Sequence, residues 1–462
     1  MRGGSRTHGA ALVTAPSPAR FLDELVALLK LAWPIVIAQL GMSVMNLVDT
    51  ALVGPRGPEA LAGLALGGTM YFGIVILGIG TLMSLDAHVS QAFGAGDDAG
   101  CRSGLVQGIW TAALLTPPLI LALTWAPDVL VACGFDPATA ALARLYLDPL
   151  RWGVPFGLLF VVHRSFLSAV GVTRPLLVSA LLANIANVGL DLWFLDGGWF
   201  LPALGVEGVA WATALCRVIL LLPVAWVAWF RTDMRRFVTT SWALDVVVVR
   251  HLLSIGVPVG LQYFAEVSAF SGAAILMGIL GPEPLAAHQV ALSASSMAFM
   301  VPLGLGAAGA VRVGQAVGRR DGHGLSLAAW TVLAVGGAWS LLGAAAFTLV
   351  PERIAGFFGV TGEVFALSLD LIAIAALFQI SDSIQAVAVG VLRGLADTRA
   401  GFALALFGYA ALALPMGILG AIVLSDDPRW IWWGLFAGLS AAAVGMCLRI
   451  RVQLRRHQVL FT

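Results

Sequence analysis

Twelve stretches of about 20 or more nearly charge-free apolar residues recur along this chain, and they limit it to one kind of fold. They fall at about 31–54, 62–86, 103–126, 150–171, 176–195, 206–229, 255–280, 285–311, 325–350, 366–392, 401–424 and 430–449. Inside hydrocarbon every backbone N–H and C=O must be satisfied within the protein, so a spanning segment is a helix or part of a closed barrel. A barrel needs short alternating segments, and these runs are long and uniformly apolar. The chain reads as an all-α polytopic membrane protein with twelve transmembrane helices, its first partner the lipid bilayer. Charged residues are 11% of the 462, where a soluble domain carries about 25%. The net charge of +1 argues against a nucleic-acid partner. The four cysteines, Cys101, Cys133, Cys216 and Cys447, have no metal or disulfide spacing. No Ser-His-Asp set, His cluster or phosphate-cradling loop occurs, so the expectation is no enzyme, no catalytic residue and no cofactor.

An internal repeat divides the spans. Residues 34–97, shifted by 224, align with 258–321 without a gap and with 14 identities in 64 positions. Pro34 meets Pro258, and Gly57-Pro58-Glu59 meets Gly281-Pro282-Glu283. Gln91, Gly94 and Asp97 meet Gln315, Gly318 and Asp321. Apolar bias alone does not readily match Pro, Gly, Gln and Asp together. At a shift of 225, Leu167, Thr173 and Arg174 meet Leu392, Thr398 and Arg399. The repeat implies two homologous six-helix lobes related by an axis along the membrane normal. The expected organisation is a cytosolic tail at 1–30, one lobe at 31–230, a charged cytosolic linker at 231–250, the other lobe at 251–450 and a cytosolic tail at 451–462. Basic residues cluster on the side of the chain ends, including Arg231, Arg235, Arg236, Arg250, Arg449, Arg451, Arg455 and Arg456, which puts both termini in the cytosol. Paired lobes leave a cleft between them, and rocking the lobes alternates its access.

Carboxylates inside a span are expensive and mark function by default. Asp49, Asn187, Asp191 and Thr213 come from spans 1, 5 and 6 and share a depth. Their all-oxygen donor set suits Na+, and the paired carboxylates suit H+. Helix–helix polar glue is the competing reading. Glu266 and Asp382 lie near the midplane of spans 7 and 10. The neighbouring Gln262, Gln379 and Gln385 either line the same cavity or bridge helices. Pro34, fifteen residues before Asp49, is a candidate hinge. Asp86, His88 and Arg312 read as loop fasteners, and Arg217 has no assignable partner.

The stretch from Pro34 to Gly54, with MNLVDTALVG, resembles the first helix of the multidrug and toxic compound extrusion (MATE) family. GPEPLAAHQVAL at 281–292, AVRVGQAVGRRD at 310–321 and VLRGLADTR at 391–399 are similar to further motifs of that family. The resemblance covers about 25 to 450 and implies a V-shaped pair of lobes in the inner membrane. It implies a monomer that exports amphipathic, cationic drugs in exchange for Na+ or H+. It also implies that Asp49, Asn187, Asp191 and Thr213 form a cation site of the DinF-like branch, and that Glu266 and Asp382 are acidic positions of the NorM-like branch. The first half departs from the ADTR motif, reading GVTR at Gly171–Arg174. Deep carboxylates disfavour the alternative of a lipid-linked glycan flippase, and the repeat disfavours a channel or non-transport bundle.

Overall fold

A computed structural model describes residues 18–134, 136–197, 202–237 and 242–461. Twelve helices long and apolar enough to span a membrane are present: α1 (Ala19–Arg56), α2 (Pro58–Gly94), α3 (Asp98–Ala132), α4 (Pro137–Ala169), α5 (Arg174–Asp196), α6 (Val206–Phe230), α7 (Val246–Leu280), α8 (Pro282–Gly318), α9 (Gly322–Leu349), α10 (Gly362–Gly394), α11 (Thr398–Leu424) and α12 (Arg429–Phe461). All twelve expected spans are present, and most run past the expected limits. Residues 19–30 and 451–461, which read as tails, are helical. Charged residues beyond the apolar stretch do not stop a helix; they only carry it out of the hydrocarbon. Residues 1–17 of the expected N-terminal tail and 238–241 of the linker lie outside the described residues.

The repeated residues have local physical roles. Gly57 and Gly281 sit at φ +109° and +135°, a region closed to other residues, and each precedes a proline at the first turn of a helix. Asp97 and Asp321 cap α3 and α9 by accepting from the backbone N–H of Gly100 and Gly324, at 2.9 and 2.8 Å. These matched residues therefore start helices.

The halves meet in a pattern that the repeat exchanges: α1 packs on α8 and α7 packs on α2. Near the chain-terminal end of the bundle, side chains on both sides of the seam join the halves. Gln91 Nε2 donates to the Gly394 carbonyl and Gln315 Nε2 to the Ala169 carbonyl, each at 2.9 Å. Residues 91 and 315 are a repeat pair, and so are 169 and 394. A Cβ on Gly94 would collide with the Gln315 carbonyl, and one on Gly318 with that of Gln91, so glycine permits this approach. Arg312 of α8 clasps Glu24 of α1, Nε to Oε1 at 2.8 Å. Arg393 of α10 pairs with Asp86 of α2 at 3.3 Å, both side chains buried. Asp86 and Arg312 thus tie helices across the seam rather than fasten loops. The His88 ring also lies across the seam, against His251 of α7, 5.9 Å between centroids.

Candidate functional site

Each half contains a buried acidic cluster. In the first half α1, α5 and α6 bring together the four residues singled out there. Asn187 Nδ2 donates to Asp49 Oδ1 at 2.9 Å, and Thr213 Oγ1 lies 3.1 Å from Asp49 Oδ2. Asn187 and Asp191, four residues apart on α5, share a helix face, which is how both reach Asp49. The Asp191 carboxyl faces that of Asp49. Both Asp191 oxygens and the Asn187 carbonyl oxygen are buried without a hydrogen-bond donor. Two facing carboxylates away from water need a shared proton or a cation between them. The orphaned oxygens make a hard, all-oxygen donor set fitted to either. No group of three or more His, Cys, Asp or Glu gathers to hold a metal among the described residues.

Two tyrosines, Tyr146 and Tyr71, complete this cluster beyond the residues read from sequence. Tyr146 of α4 touches Thr213 and feels both carboxylates. Arg217 of α6 lies over the Tyr71 ring of α2, with Cζ 4.5 Å from the ring centroid. Tyr71 is the partner that sequence reading left unassigned. Pro34 is passed by α1 without interruption on its way to Asp49.

In the second half, Glu266 of α7 faces Gln385 of α10 and Tyr409 of α11, and Gln385 Nε2 donates to Tyr409 Oη at 3.5 Å. Asp382 is close enough to interact with Glu266, and its Oδ1 has no donor. Tyr409 lies in a π-helical stretch, Phe407–Ala413, and such widened turns recur where a side chain must be re-aimed. The three amides separate. Gln385 sits at the acidic pair, Gln379 donates to the Ser295 carbonyl of α8 at 3.1 Å, and Gln262 approaches Gly401 of α11. Gln379 therefore bridges helices here.

The chain has only four tyrosines, and each meets a polar or charged side chain inside the bundle: Tyr71 with Arg217, Tyr146 with Thr213, Tyr263 with Arg393, and Tyr409 with Glu266. A buried tyrosine needs a polar partner for its hydroxyl or a cation for its ring. This scarcity was the sequence signal that could have found them.

Comparison with known proteins agrees with this architecture. The MatE family profile matches twice, at residues 34–193 and 258–419. The chain is 35% identical over 440 residues to a probable multidrug resistance protein NorM of Bradyrhizobium diazoefficiens, covering 94% of each. It is 34% identical to the multidrug resistance protein PmpM of Pseudomonas aeruginosa, covering 95% of this chain and 93% of that one. Among solved structures, the eukaryotic MATE transporter AtDTX14 superposes with TM-score 0.86 at 23% identity, over 96% of this chain and 100% of that chain. A MOP superfamily transporter from Pyrococcus furiosus superposes with TM-score 0.86 at 20% identity, over 96% and 99%.

Proposed function

The chain belongs to the MatE family, and we propose on that footing that it is a cation-coupled multidrug exporter. It is a multi-pass transporter of the plasma membrane. Its drug substrates follow from relatives named for multidrug resistance. The finer reading is that they are amphipathic organic cations, exchanged for Na+ or H+ by a monomer with both termini in the cytosol. One observation carries the coupling: each half buries a carboxylate pair with oxygens that lack donors, Asp191 in the first and Asp382 in the second. A pair of that kind is satisfied by a cation and released by its departure. Either an organic cation or the coupling ion can supply the charge, and that competition is the essence of antiport.

The seam supports a mechanism of alternating access. The ends held by Gln91, Gln315, Arg312 and Arg393 are closed against each other. With cytosolic termini the seam is closed on the cytosolic side, and export requires it to part. A lipid-linked glycan flippase fits less well, because the unsatisfied buried charges are carboxylates rather than a basic receptor for pyrophosphate. The test is ethidium uptake into inverted vesicles with a sodium gradient and a proton gradient imposed separately. Uptake driven by at least one gradient supports the reading, and uptake indifferent to both refutes it.

A further inference from the structure

Arg217 is a half-buried charge inside the bundle that the mechanism above leaves unused. It follows Thr213 by one turn on α6, so its side chain enters the first-half acidic cluster from the same helix face. Its shaft runs along a groove made by two glycines of α4. A Cβ on Gly153 would stand 2.7 Å from its Cδ, and one on Gly157 would stand 3.3 Å from its Nη1. Its guanidinium is held over Tyr71, and its Nε has no hydrogen-bond partner. None of the ion pairs among the described residues includes it, so it stands beyond 4.0 Å from either carboxylate. It is nonetheless within electrostatic reach of Asp49, Tyr146 and Cys216. The groups facing the cluster are Asp49 from α1, Tyr71 from α2, Tyr146 from α4, Asp191 from α5, and Cys216 and Arg217 from α6. Arg217 is the only cation among them.

We propose that Arg217 is a fixed counter-cation that limits the first-half site to one coupling cation and keeps that cation releasable. Two carboxylates and one permanent guanidinium leave a single negative charge. A direct salt bridge would instead have occupied the carboxylates and closed the site. The glycine groove and the Tyr71 ring hold the guanidinium at a distance where its charge is felt and its donors are not spent. Arginine suits this post because it keeps its charge when half-buried and stacks on an aromatic face. Without it the site holds a cation more tightly and gives it up to drug less readily. Arg217 acts through Asp49 and Asp191, so it is a positioning residue.

This inference rests on the coupled-exporter reading and is tested so that the two fail separately. Ethidium binding to purified protein is titrated against Na+ at fixed pH, and against pH without Na+. In wild type, one of these cations displaces ethidium with a measurable midpoint. In Arg217→Gln and Arg217→Met the same cation should displace ethidium at roughly tenfold lower concentration, as expected for loss of a unit charge several ångströms away. Arg217→Lys keeps the charge and should stay near wild type. A merely structural role would lower all midpoints or none, and would make Lys as harmful as Gln. An unchanged midpoint in both neutral variants, a shift toward weaker cation binding, or an equal shift in Arg217→Lys overturns the inference. A wild type that responds to neither cation overturns the exporter reading and this inference with it.

Discussion

Arg393→Met should part the closed seam. Arg393 is 2% exposed and pairs across the seam with Asp86, which is 3% exposed. Removing one member of a buried ion pair costs about 3–5 kcal/mol, because the other charge is left unpaired. Arg164 also acts on Asp86, and it softens the loss toward the low end, about 2–3 kcal/mol. Opening the seam hydrates Asp86, so that cost falls on the closed state alone. At 1.4 kcal/mol per decade, the balance moves roughly 30- to 150-fold toward the open seam. Cysteines at Ala95 and Arg319 report it. The Ala95 backbone N lies 2.9 Å from where a Cβ of Gly318 would be, and both positions are exposed. With the four free cysteines replaced, an oxidant should link the pair rapidly in the parent protein and much more slowly in Arg393→Met. Arg393→Lys should fall between. The charge exchange Asp86→Arg with Arg393→Asp should restore part of the linkage. Undiminished linkage in Arg393→Met, with the protein folded by gel filtration, would refute the assignment of this pair to the closed seam.

Other expectations concern the two acidic clusters and the bundle's ends. Asp49→Asn should lower gradient-driven ethidium transport by roughly 5- to 150-fold, the span of a typical coupling free energy, while ethidium still binds; gradient-dependent transport near wild type would remove the first-half cluster from coupling. Glu266→Gln and Asp382→Asn should each lower transport without harming membrane insertion, since a neutral side chain inserts more easily; unchanged drug resistance in both at matched expression would leave them as helix glue. Single cysteines at Thr232 and Thr361, both exposed, should label from opposite sides, with an impermeant reagent on whole cells reaching only 361; the reverse would invert the topology. Asp397, between α10 and α11, is partly desolvated, which raises its pKa, yet its bonds from Arg449 and Gln453, at 2.6 and 2.5 Å, win and hold it below the ordinary 3.8. Its contribution to stability is present above 3.8 and is lost as pH falls through the lower folded value. Arg449→Met should therefore flatten the acid limb of a thermal-stability profile, and an unchanged limb would contradict the assignment.

The span count was legible because the bilayer imposes one length and one polarity on every helix. The helix ends were not, because polar helix continues wherever water or another helix satisfies its side chains, as α12 does from Arg449 to Phe461. Asp49, Asn187, Asp191 and Thr213 could be grouped from depth and helix periodicity, since spacing along a straight helix converts directly into distance. The aromatic partners could not, because Tyr71 and Tyr146 reach the cluster from helices whose neighbours only packing decides. Tyr409 was further hidden by the π-helical turn, which breaks the 3.6-residue period on which face assignments rest. The amides divided for a similar reason: Gln379 and Gln385 flank Asp382 at equal spacing, but only Gln385 turns toward Glu266. The departure at GVTR also has a local basis. Asp397 holds α12, and its counterpart Val172 stands where no equivalent tie to α6 occurs among the described residues.

Coupled exchange is tested most directly by running it backwards. Purified protein is reconstituted into liposomes with no ion gradient and equal pH on both sides, and an ethidium gradient is imposed alone. Drug moving down its gradient should drive Na+ or H+ the opposite way, read by an entrapped sodium- or pH-sensitive dye, and the Asp49→Asn, Asp382→Asn double variant should abolish that counterflow. Ethidium flux unaccompanied by movement of either cation in the wild-type protein would contradict the account.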